Sequence, residues 1–360
     1  MTKRFQVSND IVSADTLSSD FYTEDNLFEL SKETIFSNSW QLITDTKSLQ
    51  NNNQYPFTLL DGYLNEPLVL TKQNGKISCF SNVCTHRAHL VCLETCNSSI
   101  LRCRYHGRTF ELDGKMKAMP GFDTVKNFPT ETDDLPSIST LIWKDFIFVS
   151  LNNKIDISSV FTDIEHRLQG YDFDKLVLSE SKSTAYIIDS HWALYCENYL
   201  EEFHIPFVHK GLTKDIILDE YQTILLENSV LQTAVCNDGE DAISLSDSAP
   251  DSDKKMYAYY YWIFPNLMLN FYAWGLSINI IEPLGKSKTR IKYLTYTIPH
   301  KKQPIADDGA DLGTVEMEDQ AVVQSVHQGV NSRYYETGRY SSKFETGVHH
   351  FHRLINSIFN

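Results

Sequence analysis

Residues 84–106 read CTHRAHLVCLETCNSSILRCRYH. Cys84 and His86 stand one residue apart, and Cys103 and His106 two residues apart, with 16 residues between the pairs. Each half puts a thiolate and an imidazole on one tight loop. Two thiolates and two imidazoles can hold one zinc ion. They can also hold a [2Fe–2S] cluster, with two Cys on one iron and two His on the other. Structural zinc sites more often pair C-x-x-C with H-x₃₋₅-H. In C-x-H followed by C-x-x-H each loop carries one ligand of each kind, so each loop can reach both irons of a diamond-shaped cluster. The cluster leads; zinc and a chance pattern remain the other readings of these four residues.

The texture around the motif is β. From about 40 to 150, short runs (WQLIT, PFTLL, PLVLTK, ISCFS, ILRCRY, TFEL, LIWKDFIFVSL) are separated by turn signals at Asp61-Gly62, Asn74-Gly75 and Asp113-Gly114. They predict an all-β domain of many short strands. Residues 17–40 read as helical, with Phe28, Leu30 and Ile35 among Glu and Lys and a start near Thr23. Beyond 151 both types occur. Helices are expected at 159–169, 192–210 and 315–328, strands at 221–235, 255–282 and 288–298, and an acidic loop at 237–254. The sum is a small β domain set within an α+β domain.

Composition bounds the function. The chain has 360 residues and a net charge of −15, which argues against nucleic acid and anionic membranes as partners. At 42% hydrophobic and 12% aromatic it can build real cores. Tyr257–Pro283 is greasy, but Asn266, Asn270, Asn279, Pro265 and Glu282 suit buried strands better than a bilayer. Seven cysteines, five of them between 79 and 103, form an odd set without a leading apolar segment. That pattern fits a reducing, cytoplasmic setting and metal chemistry rather than disulfides.

A second motif lies at 196–210, CENYLEEFHIPFVHK. On a continuous helix Glu197, Glu201 and His204 share one face. His209 would fall 140° from His204 at about 100° per residue, and Pro206 interrupts the ladder so that both imidazoles can converge. Two imidazoles and one carboxylate make the facial triad of mononuclear Fe(II), with positions left open for O₂ and substrate. The plain alternative is a helix with two unrelated histidines. The segment TVEMEDQAVV (314–323) is a helical pattern with three acids, Glu316, Glu318 and Asp319, near its start.

With both motifs in view, the chain resembles the Rieske non-haem iron oxygenases, the ring-hydroxylating oxygenase α-subunit family. CTH…CRYHGRTFELDGK resembles that family's Rieske domain, with Ala88, Arg104 and Arg108 where glycine, proline and tryptophan are usual. The pattern N/E-x₃-D/E-x₂-H-x₄-H fits Glu197, Glu201, His204 and His209, and GRYSSKFETGVHHFHRL is similar to the C-terminal helix. Glutamate at 201 looks like the choline, betaine and carnitine branch.

The resemblance implies the following. Cys84, His86, Cys103 and His106 hold the [2Fe–2S] cluster; His204, His209 and Asp319 hold Fe²⁺. Glu316 and Glu318 are the rivals for the third place, and their position reads as that of solvated helix-start acids. Glu201 bridges His204 and His106 of a neighbouring subunit in a ring-shaped trimer. The implied fold is an all-β Rieske domain (40–152) inserted near the N-terminus of a larger α+β, helix-grip-like catalytic domain (153–360), with a helical segment at 1–39. The implied activity is hydroxylation or oxidative demethylation of a small organic substrate, a quaternary amine favoured. Electrons come from NAD(P)H through a separate reductase, with or without a ferredoxin, since no G-x-G-x-x-G or Walker loop is present. Cis-dihydroxylation of an aromatic ring, a pure electron carrier and a zinc-stabilised binding protein are the competing functions. Aromatics at 259–262, 264, 271, 272 and 274 are expected in strands near the iron, mostly as sheet core. A cation–π cage is the attractive use for the rest.

Overall fold

The structure, a computed structural model, describes residues 5–209, 216–237, 241–301 and 312–360, the side chains of residues 312 and 314 excepted. It forms two compact units, Ser37–Lys154 and Met1–Phe36 with Ile155–Asn360.

In the Ser37–Lys154 unit, runs of alternating apolar residues pair into an antiparallel sheet. Its order is β1 (Gln41–Asp45), β9 (Phe146–Ser150), β8 (Ser137–Trp143), β4 (Lys76–Ser81), β3 (Glu66–Gln73), β2 (Gln54–Leu59). Asn74 and Gly75, at φ 52° and 82°, make the two-residue turn that joins β3 to β4 and opposes Gln73 to Lys76. Both central positions of such a turn need positive φ, which is why Asn-Gly stands there. A smaller sheet, β5 (Leu101–Arg102), β6 (Thr109–Phe110) and β7 (Met116–Ala118), carries the second Cys-His loop. Val69, Phe80, Leu101, Phe110, Leu112 and Leu135 pack into one buried cluster with Cys84 and Cys103. Each such side chain contributes about 1.5–3 kcal/mol on leaving water, so the cysteine ends of both loops rest on a stiff floor.

The larger unit is α+β. Its sheet runs β10 (Val177–Leu178), β17 (Lys288–Thr297), β16 (Gly275–Gly285), β15 (Leu267–Tyr272), β14 (Met256–Ile263), β13 (Ser229–Val235), β12 (Gln222–Leu226), with β11 (Thr184–Ile188) also on β17. Helices α3 (Ser158–Arg167), α4 (Trp192–Tyr199), α6 (Leu312–Val330) and α7 (Thr346–Phe359) accompany it. The tail helix α7 is amphipathic: Val348, Phe351 and Ile355 are buried, and Phe351 meets Trp192 and Trp262 at ring distances of 5.9 and 5.2 Å. Its His352 accepts from the Leu17 N–H at 3.2 Å and pairs through Nε2 with Glu197 at 3.3 Å, and Tyr22 donates to the same carboxylate at 2.7 Å. That network ties the N-terminal segment, α4 and the tail together. His191 caps α4, accepting from the Ala193 N–H. Burial, then the charges of His327 and Lys286, pushes its pKa down to about 3, so it stays a neutral acceptor.

Close approach of α7 to the end of α4 depends on Gly347. A methyl group there would sit 2.4 Å from the Leu200 carbonyl oxygen. Gly347→Ala is therefore expected to cost about 1–3 kcal/mol of overpacking and to lower the melting temperature by about 3–10 °C. An unchanged melting curve would refute the contact.

Three local expectations need correction. Residues 17–40 are not one helix but α1 (Asp20–Thr23), α2 (Asp25–Ser31) and a π-helical turn at Lys32–Phe36. ILRCRY holds only the two residues of β5, because the Cys103 loop begins there. The helix expected at 192–210 stops at Tyr199, and a separate turn, α5 (Ile205–Val208), follows; Lys210 lies outside the described residues. Residues 238–240 of the expected loop at 237–254 lie outside them too.

Candidate metal centres

The two Cys-His loops share one backbone design. The Cys84 N–H donates to the His89 carbonyl at 2.9 Å, and the Ala88 N–H to the Cys84 carbonyl at 3.0 Å. The Cys103 N–H donates to the Arg108 carbonyl at 2.8 Å, and the Gly107 N–H to the Cys103 carbonyl at 3.1 Å. The same pair of bonds therefore closes each loop, five and four residues beyond its cysteine. The fourth residue must be left-handed, and Gly107 (φ 76°) and Ala88 (φ 57°) are. Glycine adopts that conformation freely, whereas alanine bears about 1–2 kcal/mol. Ala88 therefore replaces the usual glycine at a cost in stability but without changing the loop.

The loops bring four side chains together. Cys84 and Cys103 are buried and their thiols are in contact, and burial is the main reason the Cys84 thiol titrates high. The His86 and His106 rings lie 4.8 Å apart at 74°. Nδ1 of His86 is buried and has no hydrogen-bond partner among the described residues. An orphaned buried nitrogen costs about 1–3 kcal/mol unless something binds it.

In the larger unit the break after Tyr199 builds the second centre. His204 is the residue before α5 and His209 the residue after it, with Pro206 in its first turn. Proline fits there because the first-turn N–H groups have no helical partner. The one-face alignment of Glu197, Glu201 and His204 is therefore lost, and a four-residue turn converges the histidines instead. Their rings sit 5.0 Å apart at 82°.

Asp319, on α6, closes the set. Its Oδ1 lies 2.9 Å from His209 Nε2 and 3.6 Å from His204 Nε2. Among the described residues, one set of three donors gathers within 4.8 Å, and it is His204, His209 and Asp319. The other ring nitrogens are held from behind. Glu201 contacts His204 Nδ1 at 2.5 Å and accepts from the His204 N–H at 3.0 Å. Glu318 contacts His209 Nδ1 at 2.7 Å. The expectation that Glu318 is only a solvated acid is thus corrected: it orients His209. The signal was present in the adjacent acid–Asp pair, but spacing alone does not say which acid meets which ring. Without a metal, burial disfavours the His209 imidazolium, yet Asp319 and Glu318 outweigh burial and raise its pKa.

A cavity of about 140 Å³ opens beside these three residues. Tyr195, Tyr199, Tyr221, Tyr257, Tyr260 and Tyr272 line it, with Glu201, Glu316 and several amides. Tyr272 meets Tyr257 and Tyr260 edge-on at 6.0 and 5.9 Å, and the Tyr199 hydroxyl donates to Asn270 at 2.6 Å, so the aromatic wall is braced. Tyr259, Tyr261, Trp262, Phe264, Phe271 and Trp274 are buried core and do not line it. Glu197 is likewise absent from the lining, held by Tyr22 and His352.

Residues 39–129 match the Rieske [2Fe-2S] domain, and residues 177–360 match the ring hydroxylating alpha subunit (catalytic domain). The chain belongs to the ring-hydroxylating oxygenase α-subunit family. It is 30% identical over 358 residues to the chloroplastic choline monooxygenase of Amaranthus tricolor, which spans 96% of this chain and 78% of that protein. It is 27% identical over 368 residues to the carnitine monooxygenase oxygenase subunit of Escherichia coli (strain K12), at 96% and 94% coverage. Among solved structures, a quaternary ammonium Rieske monooxygenase, reported with insights into carnitine oxidation by gut microbiota and inter-subunit electron transfer, matches with a TM-score of 0.76. That match has 22% identity and covers 96% of each chain, and it speaks for the fold.

This Rieske oxygenase is an oxidoreductase that works with a [2Fe–2S] cluster and a mononuclear iron. The side chains fit both groups. The first loop pair offers two thiols and an orphaned imidazole nitrogen. The second centre offers two imidazole nitrogens and a carboxylate on one side, with their far nitrogens already occupied. Among the described residues no helix is long and apolar enough to cross a membrane.

Proposed function

We propose that this Rieske oxygenase hydroxylates or oxidatively demethylates a small quaternary amine. The observation that carries this reading is the cavity wall, six tyrosines with Glu316 among them beside the iron ligands. Aromatic faces and a carboxylate attract an ammonium group whose methyls cannot donate hydrogen bonds; each face contributes about 0.5–2 kcal/mol. The size fits, since a cavity of about 150 Å³ accepts a molecule as large as benzene. The names of the relatives, choline and carnitine monooxygenases, lend support.

Cys84, His86, Cys103 and His106 hold the cluster in this reading, and His204, His209 and Asp319 hold the iron. The iron supplies O₂ activation and the cluster supplies single electrons. The protein residues supply placement. Glu201 and Glu318 fix the two imidazoles, so that the Nε2 atoms face the cavity. The braced tyrosines hold the substrate cation and keep water out. Electrons come from NAD(P)H through a separate reductase, with or without a ferredoxin. The working form is a homotrimer, in which Glu201 links His204 to His106 of a neighbouring subunit. The inter-subunit electron transfer described for the matching solved structure supports that arrangement.

The test is NADH-dependent O₂ uptake with a surrogate reductase, with product identification by mass spectrometry. Choline, betaines, their uncharged tert-butyl analogues and aromatic acids make the panel. Coupled turnover of an amine, with at least tenfold weaker use of its tert-butyl analogue, is expected. Preference for an arene would overturn the reading.

Glu316 makes a sharper test. Glu316→Gln keeps the shape and removes the charge. It is expected to weaken amine binding about five- to thirtyfold, or about 1–2 kcal/mol, and to leave binding of the tert-butyl analogue unchanged. Equal losses for both ligands would mean that the Glu316 carboxylate organises the pocket and does not act on the substrate's charge.

A further inference from the structure

Where the resemblance leads one to expect tryptophan, this chain puts a buried arginine. Arg108 has a side chain 2% exposed, two residues past His106, and its carbonyl oxygen closes the Cys103 loop. Its Nη2 donates to Asp133 Oδ1 at 2.6 Å and to the Asp133 carbonyl at 3.3 Å. The guanidinium also lies over the rings of Phe110 and Phe128, at 5.7 and 5.4 Å. The same Asp133 carbonyl accepts from the Thr85 hydroxyl at 2.7 Å. Thr85 stands between Cys84 and His86. One residue, Asp133, therefore holds both ligand loops, one through Thr85 and the other through Arg108. Asp133 is itself fixed, accepting from the Thr130 N–H at 2.8 Å in a capped turn.

A clamp alone needs no charge. A neutral pair of side chains could span the same gap without the desolvation cost that buried ions carry. The buried Arg108 charge is screened less than a surface charge, and Asp133, whose side chain is 20% exposed, is screened more than Arg108 but lies against it. A positive charge beside the cluster favours the added electron, and a negative one opposes it.

We propose that the Arg108–Asp133 pair is a positioning and tuning device for the cluster: it joins the two ligand loops and sets the reduction potential through two opposed charges. The proposal rests on the assignment of Cys84, His86, Cys103 and His106 as cluster ligands.

The test is a spectroelectrochemical titration of the cluster's visible bands, on the full chain at one fixed pH. Arg108→Gln leaves Asp133 uncompensated and is expected to lower the potential. Asp133→Asn leaves Arg108 uncompensated and is expected to raise it. Each shift corresponds to about tenfold in the reduction equilibrium, or about 59 mV for one electron. Both variants loosen the same contact, so a purely structural clamp would move both potentials the same way. Arg108→Lys keeps the charge without the forked geometry, and it carries the comparison if Arg108→Gln loads no cluster. It is expected near the wild-type potential, and a drop of about 59 mV there would overturn the proposal. Shifts of one sign, or none, with intact clusters would overturn the proposal alone. A wild-type chain without iron and sulfide would overturn the ligand assignment and the proposal together.

Discussion

Asp319→Ala is expected to remove the mononuclear iron and reduce oxygenation at least a thousandfold, about 4 kcal/mol in the barrier, while the cluster's visible spectrum survives. Among the described residues, Asp319 is the one carboxylate that meets both Nε2 atoms, at 2.9 and 3.6 Å. Without it two neutral imidazoles face the cation, and the triad loses its only negative ligand. Glu318 cannot substitute without releasing His209 Nδ1, which it contacts at 2.7 Å. The proposed cluster ligands belong to a separate compact unit, so the cluster's spectrum is an internal control. Metal analysis should find about three irons and two sulfides per chain in the wild type, and about two of each in the variant. An intact third iron would show that Glu316 or Glu318 is the ligand. Loss of colour would show that the two centres do not load independently.

Glu201→Gln is expected to keep most of the iron and the cluster and still lose about 10–100-fold in activity. Both carboxylate oxygens are engaged, one on His204 Nδ1 and the other on the His204 N–H. Glutamine must point an amide N–H₂ at one of these partners. It also removes the charge that couples the imidazole's protonation to the redox state of the centre. If Glu201 links His204 to the cluster of a neighbouring subunit, the loss will appear in the single-turnover rate of cluster oxidation, at unchanged iron content. Glu201→Asp, which retains the charge, should recover part of that rate. Iron loss in step with activity would reduce Glu201 to an orienter of His204. An unchanged rate would remove it from the proposal.

The residues of the two candidate centres could be picked out because they are near neighbours. C-x-H, C-x-x-H and H-x₄-H each lie on a single loop or turn, so local spacing encodes them. The β texture of 40–150 was legible for the same reason, in short alternating runs punctuated by Asn-Gly and Asp-Gly. Helix ends were less so. The pattern at 192–210 reads as one amphipathic helix, yet α4 stops at Tyr199, where the Gly347 contact lets α7 pack against Leu200. That contact joins residues almost 150 positions apart, and no window of sequence contains it.

The choice among Glu316, Glu318 and Asp319 was also beyond local reading. They are neighbouring acids on one helix, about 200° apart from Glu316 to Glu318 and about 100° from Glu318 to Asp319, and only the approach of α6 to α5 decides which meets which nitrogen. One lines the cavity, one contacts His209 Nδ1 and one faces both Nε2 atoms. The tyrosines of β14 pose the same problem. Strand alternation separates Tyr259 and Tyr261 from Tyr260, but not which face is which. Tyr259 and Tyr261 donate to Asp251 and Asp163, while Tyr260 faces the cavity. The Cys, His and acid patterns of the two candidate centres were thus written in short-range order. Which acid joins His204 and His209, which rings face the cavity and which charges pair behind the Cys-His loops follow from contacts between distant segments, and those exist only once the chain has folded.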